Sequence, residues 1–68
     1  MRVVNRVKAL RTGAGMTQKA LAERVGVTVP CVCRWERGDM NPELEKVFRL
    51  SAIFDVPIDQ IVQRTESA

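Results

Sequence analysis

The hydrophobic positions of this 68-residue chain recur at helical spacing along almost its whole length. Val3, Val7 and Leu10 stand at i, i+4 and i+7, which predicts a first helix with a single apolar face. The Gly-Ala-Gly segment that follows predicts its end, since glycine readily adopts the left-handed conformation of a helix stop. Similar periodicity in later segments predicts an all-α domain of five helices over residues 1–63, with a short tail at 64–68.

Two short helices joined by a tight turn are predicted at about residues 17–37. Thr17 and Thr28 are each placed to cap a helix, because a threonine hydroxyl can accept a hydrogen bond from a free first-turn amide. Gly26 ends the earlier helix and Gly38 ends the later one, and the short link after Gly26 leaves no room for a strand. The two helices are therefore expected to cross at a steep angle.

Two further helices are predicted in the C-terminal third. Asn41 and Pro42 form a start signal, an N-cap residue followed by proline at the first helical position. Ile58, Ile61 and Val62 stand at i, i+3 and i+4, which predicts a short fifth helix. The large apolar residues of these two helices are Leu44, Val47, Phe48, Leu50, Ile53, Phe54, Ile58, Ile61 and Val62.

The apolar surface of the last two helices exceeds what the core of so small a chain is expected to cover. An uncovered apolar patch of this size usually marks an interface. We therefore expect a homodimer whose contact centres on Ile58, Ile61 and Val62, with Leu50 or Phe54 beside them.

The third helix is predicted to have a basic outer face. On a helical wheel at about 100° per residue, Val32 and Trp35 share the inward side, and Pro30, Arg34 and Arg37 lie opposite them. A short helix with outward arginines suits the major groove of DNA, which admits one helix and where arginine can pair with both guanine acceptors.

Charge is distributed unevenly along the chain. Residues 1–40 hold eight Lys or Arg against three Asp or Glu, whereas residues 41–68 hold three against five. A basic half joined to an acidic half favours a polyanionic partner at one end of the molecule, although ordinary surface charge would give the same count.

Composition excludes several classes of protein. Histidine is absent, so the commonest metal ligand and general base are missing, and two cysteines alone cannot complete a zinc site. The acidic residues imply no catalytic pocket, and we expect neither an enzyme nor a cofactor or small-molecule substrate. No segment reaches the roughly 20 apolar residues of a membrane span, and the N-terminus lacks a signal-peptide core, which predicts a cytoplasmic protein without a membrane partner.

The two cysteines, Cys31 and Cys33, diverge on the third helix, so neither a disulfide between them nor a chelate is expected. Two interpretations stay open. They are either small residues tolerated near the outer face, or an oxidation-sensitive switch acidified by nearby arginines.

Residues 16–28 (MTQKALAERVGVT), followed by Val32, residues 35–38 (WERG) and residues 41–42 (NP), resemble the helix-turn-helix domains of phage Cro and phage repressors. This family is also called xenobiotic-response-element-like. The resemblance extends from about residue 3 to residue 62, and the combined pattern is far more specific than a single helix-turn-helix match.

The resemblance implies a compact five-helix, lambda-repressor-like fold with its helix-turn-helix at about residues 17–37. It also implies sequence-specific binding of double-stranded DNA by a small, repressor-like transcriptional regulator whose recognition helix spans about residues 29–36. Such domains are usually dimers, so two recognition helices about 34 Å apart would require a palindromic operator.

Individual roles follow from the same resemblance. Gln18 matches a residue that anchors to the DNA backbone, and Arg11 and Glu36 match a pair that forms an ion bridge between the first and third helices. The residues at or near DNA-contacting positions are Thr17, Gln18, Thr28, Val29, Pro30, Cys33, Arg34 and Arg37. Family members generally carry polar residues at the positions of Val29 and Pro30, and these two can only contact thymine methyls or fill space.

A second class of function stays open beside DNA binding. The same fold could serve as a protein-interaction module, for example an antitoxin-like protein or the partner of a phage factor. Arg34 and Arg37 favour nucleic acid, whereas Val29, Pro30 and the cysteines mildly favour a protein surface.

Overall fold

The computed structural model describes the backbone of residues 2–65 and the side chains of residues 4–63. The elements, in order, are β1 (Arg2–Asn5), α1 (Val7–Gly13), α2 (Gln18–Val25), α3 (Val29–Arg37), α4 (Leu44–Phe54), a 3-10 turn (Ile58–Gln60) and β2 (Val62–Thr65). Within residues 2–65 the fold is therefore mostly helical, as predicted, but it contains four α-helices and a two-stranded sheet rather than five helices. None of these helices is both long and apolar enough to cross a membrane.

The first correction concerns the N-terminal segment, where a helix was predicted from Val3. Residues 2–5 instead form β1, which pairs antiparallel with β2 from the end of the chain. Two adjacent valines favour a strand because β-branched side chains fit a pleated surface better than a helical turn. The helix starts only at Val7, whose N–H donates to the Asn5 side-chain oxygen at 3.2 Å.

The second correction concerns the predicted fifth helix at Ile58, Ile61 and Val62. Here the chain makes one 3-10 turn and then enters β2. A helix of this length has little stability of its own, whereas β1 offers the segment after Pro57 a ladder of backbone hydrogen bonds. Residues 64 and 65, predicted to belong to a tail, continue β2, and residues 66–68 of that tail lie outside the described residues.

Capping residues fix both ends of α2 and of α3, as their sequence predicts. The Thr17 and Thr28 hydroxyls each accept a hydrogen bond from the amide three residues later, at 3.0 and 3.3 Å. Gly26 and Gly38 then end these helices with φ of 87° and 82°, the left-handed region that glycine enters without a steric cost. These caps determine where α3 begins and ends, and burial of Val32 and Trp35 determines which of its faces points outwards.

The start of α4 lies later than predicted from Asn41 and Pro42. It begins at Leu44, with Glu43 at the cap position and no side-chain capping bond. The Asn41 side-chain oxygen instead accepts a hydrogen bond from the Asn5 amide at 2.9 Å, and the same amide nitrogen donates to the Trp35 carbonyl at 2.9 Å. Asn41 thus serves a tertiary contact between β1, α3 and the following loop.

All four helices and the segment after the 3-10 turn contribute to a single core. Its buried members are Val7, Leu21, Ala22, Val25, Val32, Trp35, Val47, Leu50 and Ile61. Leu50 and Ile61 were predicted to lie in a dimer contact, but both are 0% exposed and pack inside the single chain. The prediction is wrong for these two residues. Leu50 lies on the inward face of α4 and Ile61 at the end of the 3-10 turn, and both pack into the core cluster.

Candidate nucleic-acid interface

Helices α2 and α3 form a tightly joined pair in which α3 presents one face outwards. At the turn, the N–H groups of Gly26 and Val27 both donate to the Ala22 carbonyl at 2.9 Å. Arg49, from α4, donates to the Val25 carbonyl at 3.1 Å and so holds the C-terminal end of α2. Nothing in the sequence pattern pointed to Arg49, because its partner is a backbone atom 24 residues earlier.

The outer face of α3 has the composition that its sequence predicts. Val32 and Trp35 are buried, whereas Pro30, Arg34 and Arg37 are exposed. Among the side chains of residues 4–63, Arg34 has no ion-pair or hydrogen-bond partner, so its guanidinium is available to a ligand. Arg37 differs, since it forms an exposed ion pair with Asp39 at 3.2 Å.

The remaining candidates on α3 are less accessible than Arg34. Val29 is half-buried and packs against the core, so only part of its side chain can meet a ligand. Cys31 and Cys33 are both free thiols, and they face different neighbours. Cys31 lines a half-open cavity of about 270 Å³ beside Trp35 and Lys46, between α3 and α4. No group of three or more metal-ligating side chains occurs in the described part of the chain.

Arg11 and Glu36 form the ion pair between α1 and α3 that the resemblance implies. The Arg11 guanidinium donates to both carboxylate oxygens of Glu36, with 3.1 Å between Nη2 and Oε1. Its third nitrogen donates to the Met16 carbonyl at 2.8 Å. The side chains of Arg11 and Glu36 are only 13% and 4% exposed, so water screens the pair weakly.

Ionisation of this pair is stabilised by its own contacts. Burial by itself would raise the pKa of Glu36, but hydrogen bonds from Arg11 and Gln18, with the charge of Arg11, outweigh it and lower the pKa below its ordinary value. The hydrogen bond to Glu36 raises the pKa of Arg11 despite its burial. Both groups therefore stay charged at neutral pH.

Gln18, at the start of α2, is tied to α3 at both ends of its amide. Its Nε2 donates to Glu36 Oε1 at 3.0 Å, and its Oε1 accepts from Cys33 Sγ at 3.3 Å. The family resemblance implies that Gln18 and Cys33 lie near DNA, but their mutual contact was not predictable, since residues 15 apart on different helices share no periodicity. The first turn of α2 is thereby held against the C-terminal half of α3.

Two hydroxyls complete the potential polar surface around α3. Thr17 and Thr28 use a lone pair to cap their helices, and each hydroxyl keeps its own proton to donate to an acceptor. With Arg34 and the second N–H of Gln18, the described residues therefore offer several donors around one exposed helix. Such a set is suited to anionic or acceptor-rich ligands.

Comparison with known proteins gives results consistent with this geometry. The family model described as Helix-turn-helix matches residues 7–61. Over 61 residues the chain is 34% identical to the HTH-type transcriptional activator BcrR of Enterococcus faecalis, covering 90% of this chain and 30% of that protein. Over 56 residues it is 36% identical to an uncharacterized HTH-type transcriptional regulator of Archaeoglobus fulgidus, covering 82% of this chain and 79% of that one.

A solved structure supports the same relationship. The P22 c2 repressor, crystallised in complex with a synthetic operator, is 31% identical and superposes with a TM-score of 0.74. The alignment covers 79% of this chain and 82% of the repressor chain. The resemblance to phage repressors seen in the sequence is thus confirmed over most of the described fold.

Proposed function

The chain belongs to the helix-turn-helix family of transcriptional regulators, and from that membership we propose that it binds double-stranded DNA sequence-specifically with α3 in the major groove. One observation carries this proposal: Arg34 is exposed and without a partner among the described side chains, on the face of α3 opposite the buried Val32 and Trp35. An arginine in this position can donate two hydrogen bonds to the O6 and N7 acceptors of guanine.

The residues around Arg34 have different roles in this proposal. Thr17, Gln18 and Thr28 donate to phosphate oxygens and set the register of the domain on the duplex, since such contacts position a protein without reading sequence. Pro30, exposed and apolar, contacts a thymine methyl group. Arg37 contributes charge near the backbone and exchanges Asp39 for a phosphate.

Regulation follows from occupancy of the operator. A domain bound in the major groove changes the access of polymerase to a promoter, and we propose a repressor-like, cytoplasmic regulator that acts in this steric way. This steric action needs no effector and no catalytic step. The chain spans 30% of the length of the BcrR activator.

We further propose that two copies bind a palindromic operator. Large apolar side chains stay exposed on the single chain, with Leu44 at 65%, Phe48 at 55% and Ile58 at 42%. Leu44 and Phe48 lie one helical turn apart on α4, so they share a face. A second copy covering this face supplies the second recognition helix, about 34 Å from the first. Phe54 and Val62, which were also predicted for the contact, are half-buried, so part of each side chain stays accessible to a partner.

Selection from a pool of random duplexes tests the function directly. We expect the wild-type protein to enrich one sequence with inverted half-sites, and to bind it far more tightly than mixed genomic DNA in gel shifts at two salt concentrations. If the wild-type protein binds all duplexes with equal affinity, the proposed base contact of Arg34 is contradicted. A protein that shifts no DNA at either salt concentration would instead favour the protein-interaction module.

A further inference from the structure

We propose that Cys33 is a positioning residue for DNA binding: its thiol fixes the orientation of the Gln18 side chain, so that a free amide N–H of Gln18 faces a DNA phosphate. This role rests on the proposed DNA binding and adds to it a residue that need not touch DNA itself.

The two contacts of Gln18 select one orientation of its amide. Glu36 is ionised and can only accept, so the nitrogen of the amide must face it, at 3.0 Å. The Cys33 thiol donates to the amide oxygen at 3.3 Å, which places that oxygen on the opposite side. Both contacts therefore favour the same rotamer, and reversal of the amide would place its oxygen against the Glu36 carboxylate and end the donation from Cys33.

One donor of Gln18 is left after these contacts. A primary amide carries two N–H groups, and Glu36 uses one of them. Among the described residues the other has no partner, and the side chain is half-buried, so part of it meets solvent. An amide oxygen would repel a phosphate oxygen, whereas the N–H donates to it. Holding the oxygen towards Cys33 thus favours phosphate binding.

Loss of the thiol has a specific consequence for this arrangement. With only Glu36 holding it, the amide can rotate about its last side-chain bonds, and the free N–H then samples many directions. Ordering the free N–H at the phosphate would then cost conformational entropy on binding. The thiol contact lowers this cost because it already orders the amide in the free protein. Cys33 thus acts through Gln18 and has no effect of its own on DNA affinity.

The chain contains a matched control for this test. Cys31 lies on the same helix and is half-buried like Cys33, but it lines the cavity beside Trp35 and makes no hydrogen bond to Gln18 through its thiol. Substitution of Cys31 therefore removes a thiol from α3 without changing the Gln18 amide.

The experiment is a double-mutant cycle read by fluorescence anisotropy. A labelled duplex of mixed sequence is titrated with wild type, Gln18→Ala, Cys33→Ala, the double variant, Cys33→Ser and Cys31→Ala over a series of NaCl concentrations. We expect Gln18→Ala to weaken binding about tenfold and Cys33→Ala about threefold, as for one lost and one weakened hydrogen bond to a charged acceptor. In the Gln18→Ala background, Cys33→Ala should change nothing further.

Two further readouts separate positioning from a structural role. Serine keeps a donor at position 33, so Cys33→Ser should recover part of the affinity. The slope of log affinity against log salt should stay that of the wild type for all these variants, because a neutral amide releases no counterion. Urea unfolding midpoints identify any variant whose loss of binding comes from loss of folding.

The outcomes are distinguishable. The positioning role is overturned if Cys33→Ala lowers DNA affinity equally in the wild-type and Gln18→Ala backgrounds. It is also overturned if Cys31→Ala lowers DNA affinity as much as Cys33→Ala does. Neither result contradicts DNA binding itself. Unchanged affinity in Gln18→Ala shows that Gln18 makes no phosphate contact and also overturns it. A wild-type protein that binds no duplex contradicts the proposed function itself.

Discussion

Glu36 on α3 accepts hydrogen bonds from Arg11 on α1 through both of its carboxylate oxygens. This contact joins the first helix to the end of the helix that we propose to read DNA. Because the side chains of the pair are only 13% and 4% exposed, its two members depend on each other more than fully solvated charges do.

Replacement of Glu36 by alanine should destabilise the fold by about 3 kcal/mol, the lower end for a buried pair, since the partly buried Arg11 guanidinium would lose its counter-charge. Glu43 is the control, because it is an exposed carboxylate at the start of α4 without a capping bond. Its replacement by alanine should change the free energy of unfolding by less than about 0.5 kcal/mol. Urea denaturation of both variants measures the difference, and equal midpoints would show that the ion pair contributes nothing.

Stability should fall in acid through Glu36. Its pKa is lower in the folded chain than its ordinary value, so the folded state binds this proton less readily than the unfolded state. The contribution is complete above the ordinary carboxyl pKa and disappears as pH falls through the lowered one. Arg11, whose pKa is raised, stays charged over this whole range.

Urea unfolding of wild type and Glu36→Gln from neutral pH down to the carboxyl range measures this effect. The difference in stability between the two proteins should narrow as the medium becomes acidic. A constant difference across the pH range would show that Glu36 titrates alike in the folded and unfolded states.

Replacement of Arg34 by alanine should remove discrimination between the selected operator and other sequences. The loss of one bidentate base contact costs about 1–3 kcal/mol in specific binding. Arg37 is on the same helix and also exposed, and Arg37→Ala should weaken binding to all sequences alike. Competition gel shifts with operator and mixed DNA compare the two variants, and an equal loss on both DNAs for Arg34→Ala argues against base reading.

Loss of the Arg49 side chain should destabilise the domain by about 1 kcal/mol, because the Val25 carbonyl at the end of α2 would lose a hydrogen bond from the protein. Arg24 is the control, since it is an exposed arginine in the last turn of α2. Thermal unfolding of Arg49→Ala and Arg24→Ala tests this, and the role of Arg49 is refuted by midpoints that match.

Phe48→Asp should abolish association without unfolding the chain, because Phe48 is more than half exposed. Leu50→Asp, on the buried face of the same helix, should instead prevent folding, since it places a charge in the core. Analytical ultracentrifugation over a concentration series, with circular dichroism, separates the two effects. A wild-type protein that stays monomeric at high micromolar concentration would contradict the proposed dimer.

Local signals predicted the helix-turn-helix well. Thr17, Thr28, Gly26 and Gly38 act within one or two turns of their own positions, so the sequence pattern contains all the information that caps need. The faces of α3 followed for the same reason, because its period is set by the helix itself. This part of the fold was predictable to within one residue at each boundary.

Long-range contacts were not predictable in this way. The pairing of β1 with β2 joins residues about 60 positions apart, and valines in both strands also fit a helical period. Leu50 and Ile61 were assigned to a surface because the volume of the core cannot be judged from periodicity. The contact between Cys33 and Gln18 depends on the crossing of two helices, which the sequence pattern does not specify to that accuracy.

The pairing of β1 with β2 also determines when this domain can close during its synthesis. The four helices depend mainly on neighbours that leave the ribosome before β2, whereas β1 waits unpaired until β2 has been made. Ile61, a buried core residue just before β2, arrives at the same late moment. We therefore expect the nascent helical part to stay incompletely packed until translation reaches the second strand, and closure of the sheet to be the last step of folding.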